Sequence, residues 1–60
     1  MSIVDDMVTY RARNRISQSE LAKRCGVSLQ TINSIETGQQ NPSQVTLRKI
    51  ELVIYKEDEK

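Results

Sequence analysis

The residues best equipped for chemistry in this chain are uncharged. Gln30, Asn33, Ser34 and Thr37 recur three or four positions apart, and at about 100° per residue they share one side of a helix. Amides carry a donor and an acceptor in one plane, and hydroxyls serve as either, so this face suits directional hydrogen bonding. Bond-breaking chemistry has little to work with, because the sequence has no histidine, a single cysteine and no nucleophile beside a base. Asp5 with Asp6, and the acids Glu57, Asp58 and Glu59, adjoin in sequence without a pocket that so short a chain can form. The usual zinc spacings are missing as well. No enzyme activity, no cofactor and no metal are expected.

Two short helices must hold that face in place. Ser17, with Glu20 three residues on, forms a capping box in which the hydroxyl takes one orphan N–H and the carboxylate another. Leu21, Ala22 and Cys25 then share one side, with Lys23 and Arg24 outward in the last turn, where cations suit the helix dipole. Gly26 ends this helix by tolerating positive φ. Ser28 caps the next one almost at once, so the two helices meet at a steep angle. In the second, Ile32, Ile35 and Glu36 cluster on the inward side, opposite the amides and hydroxyls, and Gly38 stops it. A helix, a tight glycine turn and a second helix with amides outward is the sequence form of a helix-turn-helix, whose second member can enter the major groove of DNA.

The run ISQSELAKRCGVSLQTINSIETGQQNPS, followed by TLRKI, resembles the DNA-binding domains of the Cro and phage-repressor group, the XRE-type helix-turn-helix family. Gln18, Glu20, Leu21, Ala22, Gly26, Val27, Ser28, Ile32, Ile35, Glu36, Gly38, Asn41, Pro42, Ser43, Leu47 and Ile50 all fall where that pattern expects them, without a gap. The resemblance spans residues from about Met7 to Ile54. It implies an all-α, lambda-repressor-like domain of four helices with room for at most a short fifth turn, its helix-turn-helix at about 17–37. The whole of 1–60 is then one domain, with a helix-turn-helix core at 17–38 and a charged, solvated tail at 56–60. In the family, an arginine at the Arg11 position pairs with a glutamate at the Glu36 position. The residues agree, since Glu36 lies in an inward register and a partly buried carboxylate needs a partner.

Residue roles follow from the helix-turn-helix register. Gln30 and Asn33 can each give a bidentate contact to adenine N6 and N7, Ser34 can donate or accept, and Leu29 and Thr31 can press on a thymine methyl. Each good bidentate contact discriminates by about 1 to 3 kcal/mol. Phosphates are expected at Ser17 and Gln18, where a helix N-terminus attracts anions. The resemblance adds Gln39, Gln40 and Asn41, which follow the recognition helix where the family meets the DNA backbone. That loop often carries lysine or arginine in relatives but has neither here, so Arg13, Arg15 and Lys23 are expected to help.

The flanking segments supply support. Ser2 caps a first helix with Asp5 and Asp6 in its first turn, and Ile3, Met7 and Tyr10, with Val8 at the margin, form its apolar stripe as far as Asn14. Ile16 packs as the chain enters the second helix. Gln39 to Pro42 reads as loop, and the fourth helix begins at Ser43 or, as the lesser alternative, takes Asn41 as cap with Pro42 at N1, with Leu47, Ile50, Val53 and Ile54 inward. Val45, Leu52 and Tyr55 remain outside that core. The family usually has a fifth helix here, which YKEDEK is too short and charged to supply, so a homodimer contact is the expected cover. Cys25, in an apolar register, is expected to be an inert core residue; the nearby Lys23 and Arg24 are what a redox-sensitive thiol would need.

Composition sets the outer bounds. Sixty residues bury only about 60% of their unfolded surface, so stability alone is marginal and a partner chain would help. No signal peptide or membrane span is legible, and a soluble, cytoplasmic protein is expected. The net charge of +1 is low for a DNA binder. Its distribution matters more: residues 11–24 hold five basic side chains and one acidic one. The function expected is sequence-specific regulation of transcription, as a dimeric repressor on a palindromic double-stranded operator. The alternative is a protein-interaction module, or an antitoxin-like partner-binding protein, on the same fold.

Overall fold

A computed structural model describes residues 2–55; the tail at 56–60, and with it any fifth turn, lies outside the described residues. Four helices and no strands make up the described chain: α1 (Ile3–Asn14), α2 (Gln18–Cys25), α3 (Leu29–Glu36) and α4 (Gln44–Ile54).

Serine starts every one of them. Ser2, Ser17, Ser28 and Ser43 all have extended backbones, and their hydroxyls accept from the N–H groups of Asp5, Glu20, Thr31 and Thr46. Each cap satisfies one donor that the first helical turn leaves without a partner. The box expected at Ser17 forms by its hydroxyl half: the Glu20 carboxylate accepts from Arg24 Nε at 3.4 Å, one turn along the same helix. An i,i+4 cation within reach competes for that carboxylate.

Three helices also stop in the same way. After α1, Arg15 N–H donates to Ala12 and Ile16 N–H to Arg11. After α2, Gly26 donates to Lys23 and Val27 to Ala22; after α3, Gly38 donates to Ile35 and Gln39 to Ser34. This paired pattern needs a left-handed residue just past the helix, and Arg15, Gly26 and Gly38 have φ of 55°, 73° and 78°. Both glycines were legible in the sequence; Arg15 was not.

All four helices contribute to the core. Met7, Leu21, Ile32, Ile35 and Ile50 are fully buried, joined by Tyr10, Ala22, Cys25 and Ile54. Helix α2 packs on α3 and α4, and α1 packs on the same two. Ile3, Val4, Ile16, Val27 and Val53 close the margins, whereas Val8 is 43% exposed and lies off the stripe. Leu47 is only half-buried. Cys25 is buried and free, and burial pushes its thiol pKa up, which favours the unreactive form.

Candidate nucleic-acid interface

Helix α3 is anchored by Ile32 and Ile35 and turns the rest of its surface outward. Leu29, Gln30, Asn33 and Thr37 are exposed, Leu29 by 49%. Thr31 is half-buried, and its hydroxyl lies 2.8 Å from that of Ser28 in the cap. Thr37 turns its hydroxyl back onto the carbonyl of Asn33 at 2.9 Å.

Ser34 departs from expectation. It is 9% exposed, not part of an open reading face. By angle alone it lies away from Ile32, but the chain reverses at Gly38 and brings the N–H groups of Gln39 and Gln40 onto the Ser34 carbonyl at 2.9 and 3.4 Å.

Behind α3 stands the ion pair. Arg11 donates from Nε to Glu36 Oε2 at 2.9 Å and from Nη2 to Oε1 at 2.8 Å, the two-pronged geometry that matches a guanidinium to a carboxylate. Its Nη1 donates to the carbonyl of Ile16 at 3.4 Å, which ties the α1–α2 connection to the same group. Burial by itself would raise the Glu36 pKa. Hydrogen bonds from Arg11 and Gln18, with the Arg11 charge, outweigh it and hold the carboxyl below its ordinary value.

Gln18 takes a place that the sequence did not disclose. Its Nε2 donates to Glu36 Oε1 at 2.8 Å, and its Oε1 accepts from Asn33 Nδ2 at 3.2 Å. The side chain is half-buried and occupied at both ends, while Gln18 still opens α2 as expected. The other positions considered for phosphate, Ser17, Arg13, Arg15, Lys23, Gln39, Gln40 and Asn41, are exposed.

Two further cross-links were missed. Arg24 Nη1 donates to the Tyr10 hydroxyl at 3.0 Å, giving a buried tyrosine the polar partner it usually finds. Tyr55 donates to Asp6 Oδ2, so the hydroxyl of a residue expected at a dimer contact is engaged within the chain, though the side chain remains 40% exposed. Val45 and Leu52 are 67% and 54% exposed. Among the described residues no acidic, histidine or cysteine cluster could hold a metal ion, and no helix is long and apolar enough to cross a membrane.

A family model described as helix-turn-helix matches residues 9–54, from within α1 to the end of α4. The chain is also 41% identical over 59 residues to an uncharacterized HTH-type transcriptional regulator of Methanocaldococcus jannaschii, with 83% of this chain and 89% of that protein covered. No solved structure matches the chain.

Proposed function

The chain belongs to the Cro and phage-repressor (XRE-type) helix-turn-helix family of DNA-binding transcriptional regulators, and we propose that it acts there as a dimeric repressor of a palindromic operator. Each copy lays α3 in the major groove, and the two helices enter successive grooves about one turn of DNA apart. Gln30 and Asn33 read base edges by hydrogen bonds, and Leu29 and Thr31 supply apolar contact to thymine methyls. Phosphates meet Ser17, the backbone at Gln18, the loop Gln39 to Asn41, and the cations Arg13 and Lys23. Val45, Leu52 and Tyr55 form the contact between copies. Repression follows from occupancy of the operator.

The observation that carries this reading is the exposed, uncharged amide pair Gln30 and Asn33 on a helix pinned by Ile32 and Ile35, which are 0% and 1% exposed. Exposed apolar side chains at Val45 and Leu52 favour a second reading, a module that binds another protein. A mobility-shift titration against duplexes selected from a randomised pool separates the two. The repressor reading requires binding that weakens steeply with salt, a complex holding two copies, and at least fivefold weaker binding for Gln30→Ala. Failure on every duplex at low ionic strength favours the protein partner.

A further inference from the structure

The amide face and the core are joined by one run of hydrogen bonds whose direction is set from inside. The Glu36 carboxylate can only accept, and its Oε1 takes Arg11 Nη2 and Gln18 Nε2, each at 2.8 Å. Gln18 must therefore turn its NH2 inward, which leaves its carbonyl oxygen toward α3. Asn33 has to answer with a donor, and does so with Nδ2 at 3.2 Å. A solvated amide rotates freely between its two faces. Here a flip of Asn33 would set two carbonyl oxygens against each other.

We infer that Gln18 is a positioning residue for base recognition: by bridging Glu36 and Asn33 it holds the Asn33 amide in one orientation. This rests on the DNA reading above and says how one of its contacts is made selective. With one Nδ2 proton given to Gln18, Asn33 keeps its carbonyl as acceptor and its second N–H as donor. That pair suits adenine, whose N6 donates and N7 accepts. A phosphate contact by the Gln18 side chain would have a different signature, since phosphate contacts strengthen binding to every sequence alike.

The two roles separate in a selection experiment. Wild type, Gln18→Met, Asn33→Ala and Gln30→Ala are each incubated with duplex DNA carrying a randomised core, and the bound fractions are sequenced. Gln18→Met is expected to lose about tenfold of its preference at the base pair that Asn33→Ala also flattens, while Gln30→Ala flattens another position. Weaker binding with an unchanged sequence preference overturns the inference and leaves the DNA reading intact. If wild type enriches no sequence, the DNA reading fails and this one falls with it. Melting curves establish that each variant is folded. Should Gln18→Met not fold, side-chain amide exchange in the free wild-type protein decides: slower exchange at Asn33 than at Gln30 supports the bridge, and equal exchange overturns it.

Discussion

Glu36 ties three helices together, because three N–H donors from α1 and α2 converge on its two oxygens. Arg11→Met removes the guanidinium and leaves a carboxylate that is 6% exposed without its charge partner. Breaking a fully buried pair costs about 3 to 5 kcal/mol, and the quarter exposure of Arg11 reduces this to about 2 to 3 kcal/mol. A chain of this length holds roughly 3 to 9 kcal/mol, so the variant should melt about 10 °C or more below wild type. An unchanged melting temperature would contradict the pairing. Acid tests the same residue. The folded pKa of Glu36 lies below its unfolded value, so its contribution is complete above about pH 4.3 and is lost as the pH falls through the folded value. Melting temperature should therefore drop on acidification below about pH 4, and Glu36→Gln should flatten that limb. The pair was legible through the family resemblance, which sets an arginine opposite this glutamate, and the inward register of Glu36 beside Ile32 and Ile35 agreed with it. The Gln18 bridge was not, because helical periodicity describes one helix at a time and cannot bring side chains of two helices within bonding distance.

At the scale of elements, the same grammar is used repeatedly: a serine opens each helix, and a left-handed residue closes three of them. Arg15 is the exception in kind, since a side chain in the left-handed region costs about 1 to 2 kcal/mol that glycine avoids. Glycine also gives the unfolded chain more freedom, which takes back part of the gain. Arg15→Gly should raise stability by about 0.5 to 1 kcal/mol, a rise of a few degrees in a thermal melt. A fall would mean that the Arg15 side chain contributes more than its backbone costs. Serine caps and the two glycines made most boundaries readable in advance, including the start of α4 after Ser43. Ser34, turned outward by helical angle, is buried instead, because periodicity within one helix does not register what the rest of the chain packs against it.

The whole molecule is a small core with its polar chemistry hung on the outside. Five side chains drawn from all four helices are completely buried, and fully burying one such residue is worth about 1.5 to 3 kcal/mol. Apolar periodicity disclosed nearly all of that core, and the helix-turn-helix register with the family resemblance supplied the arrangement of the helices around it. Long-range polar ties could not, since Tyr10 with Arg24 and Tyr55 with Asp6 join residues that no local pattern relates. The second of these fastens α4 to α1. The bond to Asp6, with burial and nearby carboxylates, pushes the Tyr55 pKa up to about 12, so the hydroxyl stays protonated and able to donate throughout the neutral range. Asp6 lies one turn into the first helix and Tyr55 just past the last, so both extremities of the described chain open on a common flank.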